Sequence, residues 1–277
     1  MRVLREADMS NAELRVTVPT LQRKKARGEK IAMLTAYDFP FARIFDQAGA
    51  DVLLVGDSLG QVVAGNDTTL PVTLDEMVHH CRMVSRAAQR ALVVGDLPFG
   101  TYHASAEDAV RSSVRLLKEG GVHAVKLEGG ERVADRIAAL ARMEIPVMGH
   151  VGLTPQSVHQ FGGYRVQGRG DLGHARVLRD AQAVEAAGAF AVVLECVPRE
   201  LAHEITAALS IPTIGIGAGL GCDGQVLVMH DLLGLGESAP PRFARQYVAL
   251  GEIVRRAAEM YAEDVRNQKF PGDAESY

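Results

Sequence analysis

At 277 residues the chain is long enough for one large α/β domain or two small ones, because α/β barrels run to about 250 residues as a single domain. Its 30 basic and 34 acidic residues are interspersed and sum to −4, so no basic field marks a nucleic-acid binder, and 47% hydrophobic residues exclude a disordered chain. Three cysteines far apart, Cys81, Cys196 and Cys222, with no CxxC pair, suit reduced thiols better than a disulfide framework.

From the N-terminus, "MRVLREADMSNAELRVTVPT" carries charges throughout and lacks the apolar core of a signal peptide. No apolar run approaches the ~20 residues that span a bilayer, so a cytoplasmic location is expected. Residues 17–30 read as a helix, followed by "IAMLTAY" (31–37) and "DVLLVGD" (51–57), both apolar at nearly every position. "TLDEMVHHCRMVSRAA" opens on Thr73 with Glu76 three residues later, a capping box. After "ALVVGDLP" (91–98), a second helix opens on Ser105, carries Asp108 in its first turn and ends in a Gly pair. "HAVKLEG" (123–129) and "IPVMGHVG" (145–152) follow, the latter entered through an Ile-Pro step that cannot continue a helix. A long glycine-rich connection, "TPQSVHQFGGYRVQGRGD" (154–171), reads as a lid or binding loop. "AFAVVLE" (189–195) and "IPTIGIGAG" (211–219) complete seven clear apolar runs. An eighth strand is expected around "QVLVMHDLLGL" (225–235), though that stretch reads equally well as a short helix, and a final helix is expected from Arg242 to Gln268.

Runs apolar at every position are parallel strands covered on both faces, and strand–helix alternation at this spacing predicts a right-handed parallel α/β fold. Eight units favour a closed barrel, with the helix over 17–30 closing its bottom. In such a barrel the active site lies at the C-terminal strand ends. Reading only those ends gives Asp57 and Ser58 after the second strand and Asp96 after the third. Lys126 and Glu128 lie on the fourth, His150 ends the fifth and Glu195 the sixth. Asp57, Asp96 and Glu128 sit one βα unit apart in turn, on strands ~4.8 Å from their neighbours. Three carboxylates that close repel unless a cation sits among them, and an all-oxygen set points to a hard ion, Mg²⁺ above others. Lys126 and Glu128, two apart on a strand, face the same way, so the lysine can offset the acids or hold a substrate anion.

Each residue has a plainer reading. Asp57-Ser58 and Asp96 could each be a helix N-cap, His150 a satisfied structural histidine, Lys126 the partner of Glu128, and Glu195 the partner of Arg199. The recurrence of a carboxylate at the same level in consecutive units weighs against these. His79, His80 and Cys81 are adjacent on a helix and face different ways, which argues against a metal site there. "GIGAG" (215–219) has the look of a phosphate turn, a weak signal by itself.

Taken together, "TAYDFPFARIFDQAGADVLLVGDSLG", "DTTLPVTLDEM", "DLPFGTY", "VKLEGG", "GHVGLTPQS", "FGGYRVQGRG", "LECVP", "IGIGAG" and "DGQVLVMHD" resemble, in order, the ketopantoate hydroxymethyltransferases. The likeness runs from about residue 18 to the end, leaving residues 1–17 as an N-terminal extension and 18–277 as a single catalytic domain. It implies a (βα)₈ TIM barrel of the phosphoenolpyruvate/pyruvate type, assembled as a homo-oligomer, a decamer. The implied reaction moves a hydroxymethyl group from 5,10-methylenetetrahydrofolate to 3-methyl-2-oxobutanoate through a Mg²⁺-stabilised enolate. It yields 2-dehydropantoate for pantothenate and coenzyme A synthesis. The resemblance further implies that Asp57, Asp96 and Glu128 are the Mg²⁺-site acids. Asp57, Ser58, Asp96 and Lys126 would contact the keto acid, with His150 in the same pocket, and Glu195 would be the catalytic base. Two rival readings are a phosphoenolpyruvate mutase or isocitrate-lyase type of Mg²⁺ enzyme acting on a 2-oxo acid, and a barrel without activity serving as a scaffold. The lyase "KKCGH" motif has no counterpart here, and intact acids at every matched position oppose the scaffold.

Overall fold

Eight parallel strands close into one barrel in chain order: β1 (Ile31–Thr35), β2 (Val52–Val55), β3 (Leu92–Asp96), β4 (Ala124–Glu128), β5 (Val147–Gly152), β6 (Ala191–Glu195), β7 (Thr213–Ile216) and β8 (Gly224–Leu227). This computed structural model describes residues 15–236 and 240–277, so the expected extension over residues 1–17 lies, as far as residue 14, outside the described residues. Within them the chain falls into two compact units, one through Leu227 and one from Val228. No helix among them is long and apolar enough to cross a membrane.

β2, β3 and β4 are buried at every position, as strands with barrel interior on one face and helices on the other must be. The inward residues of the lower barrel, among them Met33, Leu54, Leu92, Val94, Met148, Val193 and Ile214, form one apolar cluster. The helix Val18–Arg27, ended by Gly28 at φ 69°, adds Leu21 to the same cluster. Two of its lysines tie it to the residues that enter strands: Lys24 Nζ donates to Asp51 Oδ2 at 2.9 Å and Lys25 Nζ to Asp223 Oδ2 at 2.7 Å. The interior is therefore filled and plugged below, and only its upper, C-terminal end is left for polar side chains.

The barrel's helices begin as their sequences dictate. Thr73 and Glu76 form the reciprocal capping box of the helix Leu74–Ala87. Ser105 accepts from the Asp108 N–H at the head of the helix Ala106–Lys118. The eighth segment holds both expected elements, since β8 stops at Leu227 and the short helix Met229–Leu233 follows. In the unit from Val228, the last helix spans Leu250–Arg266 and so starts eight residues later than expected, since 250 − 242 = 8. Before it, the chain folds back by main-chain bonds instead, Tyr247 N–H to Leu232 O at 2.9 Å and Gly251 N–H to Gly234 O at 3.2 Å.

Candidate active site

Alternation along the strands explains which polar residues gather at the barrel mouth. Leu92 and Val94 point inward and therefore so does Asp96; Ala124 points inward and so do Lys126 and Glu128; Met148 carries His150 with it, and Val193 carries Glu195. Register then pairs them across strands. Asp96 lies opposite Lys126, Glu128 opposite His150, and Gly152 opposite Glu195. Gly152, at φ 93°, leaves room beside the Glu195 carbonyl that a Cβ would take.

The side chains link into a chain of charges. Lys126 Nζ stands 2.6 Å from Asp96 Oδ1 and 3.2 Å from His150 Nδ1. His150 Nδ1 lies 3.4 Å from Glu128 Oε1, and His150 Nε2 lies 3.2 Å from Glu195 Oε2. Asp96 Oδ2 accepts the Asp57 N–H at 3.2 Å, and Tyr37 OH lies 2.9 Å from Ser58 Oγ. Asp96 Oδ1 and His150 Nε2 thus have charged neighbours, yet neither makes a well-aligned hydrogen bond. All the residues expected at this site are brought to one place.

The plainer readings can be decided on geometry. Of the Asp57-Ser58 pair, Ser58 does stand at the N-cap of the short helix Leu59–Val62, without a side-chain cap bond, and neither Asp57 nor Asp96 caps a helix. Lys126 pairs with Asp96 across strands, where the register puts it, and Arg199 pairs with Glu200 at 2.7 Å, not with Glu195. Two of the three glycines of "GIGAG" are accounted for by packing, since a Cβ at Gly215 would stand 2.9 Å from Cys222 Sγ and one at Gly219 2.6 Å from Arg199 Cβ, and the third, Gly217, sits at φ 65°.

Burial governs the protonation equilibria. It raises Asp57 well above the ordinary carboxylate range, and the nearby Asp96 and Glu128 add to the rise. Burial also raises Asp96, against the pull of Lys126. Burial would raise Glu128 too, but His150, Lys126 and the Gln156 N–H together hold it below its usual value. For His150, burial and Lys126 act downward, but Glu128 and Glu195 win and raise it to about 9. The Glu195 side chain is 16% exposed, against 2–4% for Asp96, Lys126, Glu128 and His150. It is the carboxylate of this group that reaches open space.

Three further participants carry no periodic signal in the sequence. Tyr37, Tyr102 and Gln156 lie in segments that follow strands, within "TAYD", "DLPFGTY" and "GLTPQS", where loop residues look alike before folding. Tyr37 and Tyr102 are fully buried, and Gln156 nearly so. His80, of the helical His-His-Cys run, has its Nδ1 2.6 Å from the Tyr37 carbonyl. The expected lid holds a 3₁₀ turn, Pro155–Ser157, and a short helix, Val158–Phe161, before the helix Gly170–Ala186 begins. Its Tyr164 OH accepts from Gln61 Nε2 at 3.1 Å, and its Gln167 N–H donates to Cys196 O at 2.9 Å. These bonds tie the loop to segments following β2 and β6.

Among the described residues, no three His, Cys, Asp or Glu side chains already stand as a set able to hold a metal ion. The donor chemistry nevertheless fits a hard cation. Asp57 and Asp96 are buried carboxylates on adjacent strand ends, and Asp96 Oδ1 already has a cationic neighbour, the Lys126 ammonium at 2.6 Å, without an aligned hydrogen bond. Both Glu128 oxygens are engaged, one near His150 and the other by the Gln156 N–H at 3.0 Å.

Known proteins resemble the chain at two distances. The curated 3-methyl-2-oxobutanoate hydroxymethyltransferase of Syntrophotalea carbinolica is 57% identical over 263 residues, 95% of this chain and 98% of its own. Two solved structures share the barrel at low identity. A 2,3-dimethylmalate lyase of the PEP mutase/isocitrate lyase superfamily aligns with a TM-score of 0.59 at 19% identity, covering 94% of this chain and 91% of its own. A phosphonopyruvate hydrolase in complex with oxalate and Mg²⁺ aligns with a TM-score of 0.61 at 15% identity, again covering 94% and 91%. The family profile described as ketopantoate hydroxymethyltransferase matches residues 15–273. With that match and the close identity of its curated relative, the chain belongs to the ketopantoate hydroxymethyltransferase family.

Proposed function

We propose that this protein transfers a hydroxymethyl group from 5,10-methylenetetrahydrofolate to 3-methyl-2-oxobutanoate, giving 2-dehydropantoate. The observation that carries the reading is the joining of Asp57, Ser58, Asp96, Lys126, Glu128, His150 and Glu195 at one barrel mouth, with Glu195 the one carboxylate among them that reaches outward. Family membership supplies the substrate, as the relatives' name states it.

Asp57 and Asp96 would hold Mg²⁺, with Glu128 as the third acid of the site. When bound, the ion supplies Lewis-acid stabilisation of negative charge on a 2-oxo acid. Ser58, hydrogen-bonded to Tyr37, and Lys126, paired with Asp96, face the same space and bind the substrate's oxygens. Glu195 removes the proton from the carbon next to the keto group, a task for a carboxylate at the rim of a buried site. His150, 3.2 Å from Glu195 Oε2, orients that carboxylate from the inner side. A new carbon–carbon bond then forms between that carbon and the methylene carbon of the folate; the carbon–nitrogen bonds to that methylene break, water supplies the hydroxyl oxygen, and tetrahydrofolate leaves. The loop 154–171 orders over the mouth when both substrates are bound. The active assembly is a homo-oligomer, which light scattering of the purified protein would measure.

Incubation with 3-methyl-2-oxobutanoate and 5,10-methylenetetrahydrofolate should give 2-dehydropantoate, with activity lost to a chelator and restored by Mg²⁺. Cleavage or rearrangement of a 2-oxo acid without folate would instead support the mutase or lyase alternative. No turnover of any such acid would leave the scaffold reading.

A further inference from the structure

The proposed chemistry leaves two buried residues of the barrel mouth, Gln156 and Tyr102, without a task. Gln156, on the 3₁₀ turn after β5, touches two of the acids at once. Its backbone N–H donates to Glu128 Oε2 at 3.0 Å. Its side-chain amide nitrogen donates to Asp57 Oδ2 at 2.8 Å and to the Leu97 carbonyl at 3.0 Å. A main-chain carbonyl only accepts, so the atom facing Leu97 is the nitrogen, and the amide oxygen must point the other way. There Tyr102 OH stands 2.7 Å from Gln156 Oε1. The same hydroxyl accepts from the Glu128 N–H at 3.2 Å and has the Glu128 carbonyl at 3.1 Å as a second, longer acceptor, and Tyr102 itself is fully buried.

These bonds leave the amide one orientation. Turned over, its oxygen would face Asp57 Oδ2 and Leu97 O, three acceptors together with no proton among them. Its nitrogen would lose both partners and face Tyr102. Gln156 holds Asp57 by Oδ2, which leaves Oδ1 as the oxygen that can turn to another ligand.

We propose that Gln156 and Tyr102 are positioning residues for the cation: Gln156 holds Asp57 by one oxygen and presents the other, and Tyr102 anchors the amide through its oxygen. The proposal rests on the reading of Asp57 as a cation ligand. Groups that orient a metal-binding side chain typically account for 10–100-fold in metal affinity, so Gln156→Leu should weaken cation binding by roughly that factor. Tyr102→Phe, which keeps the ring packed and removes only the bond to the amide oxygen, should weaken it by a smaller factor.

The direct test is Mn²⁺ binding to the full-length protein without substrate, followed by electron paramagnetic resonance of the free ion. It compares wild type, Asp57→Asn, Gln156→Leu and Tyr102→Phe, each checked for folding by circular dichroism. The expected order of affinity is wild type, then Tyr102→Phe, then Gln156→Leu, with Asp57→Asn weakest. A purely structural role would lower the melting temperature of the Gln156 and Tyr102 variants and leave the Mn²⁺ affinity of the folded protein unchanged. That result overturns the proposal while leaving Asp57 as a ligand. Wild-type binding indifferent to Asp57→Asn would overturn the metal site itself, and the proposal with it.

Discussion

At the scale of single residues, what separates the groups of the mouth is how much water each retains. Lys126 and Asp96 form a buried pair at 2.6 Å, so each charge is tolerable only because of the other. Lys126→Met should therefore cost about 3–5 kcal/mol of stability in chelator-treated protein, read by urea denaturation, because Asp96 would be left buried without its cation. A loss under about 1 kcal/mol would place the pair among those that contribute little. Cys196 follows Glu195 at φ 47°, a left-handed conformation that few side chains adopt willingly. Its carbonyl anchors the lid through Gln167 while its N–H bonds Ile216 O at 2.9 Å. A β-branched side chain fits such a backbone worst, so Cys196→Val should destabilise by roughly 1–3 kcal/mol, and Cys196→Gly should be tolerated by comparison. Equal melting temperatures for the two variants would count against strain at this position.

At the scale of elements, most of the barrel was legible, for reasons that also locate the failures. Strands covered on both faces are apolar at every position, and β2, β3 and β4 were read from that signal alone. β8 was obscure because it is four residues long, half exposed, and runs at once into the helix Met229–Leu233, so neither period has room to show. The last helix starts later than its sequence suggests because "RFARQYVA" has ordinary helical composition, and nothing local betrays that its backbone bonds elsewhere. Helix starts were legible through caps. Thr73→Ala should cost about 1 kcal/mol at neutral pH, as loss of such a cap does. Glu76 sits below its ordinary value of 4.5 because the Thr73 N–H and hydroxyl bind its carboxylate. Lowered in the folded state, Glu76 contributes stability that is present above pH 4.5 and lost as the pH falls through its folded value. The Thr73→Ala deficit should accordingly shrink in acid, as paired denaturation curves at pH 7 and pH 3 would show; a constant deficit would assign the effect to the threonine alone. The lid, 154–171, should gain hydrogen-exchange protection when keto acid and folate are added together, and unchanged protection would leave it a fixed loop.

At the scale of the whole molecule, the site exists because eight strand ends meet. The sequence names the carboxylates at those ends, and alternation within each strand says which way they point. It does not say that Asp96 would register with Lys126, Glu128 with His150, or that Gln156 and Tyr102 would close in from loops, since those are matters of closure and register. The central claim is that this mouth takes a proton from a 2-oxo acid and that Glu195 is the group that takes it. The most direct measurement follows the methine proton of 3-methyl-2-oxobutanoate by NMR in D₂O, with Mg²⁺ and without folate, where carbon–carbon bond formation cannot mask the step. Wild-type protein should exchange that proton for deuterium. Glu195→Gln should bind the keto acid within a few-fold and exchange it roughly 10²–10⁴ times more slowly, the usual contribution of a positioned acid–base group. Exchange by Glu195→Gln at the wild-type rate would contradict the account and make His150 the next residue to test.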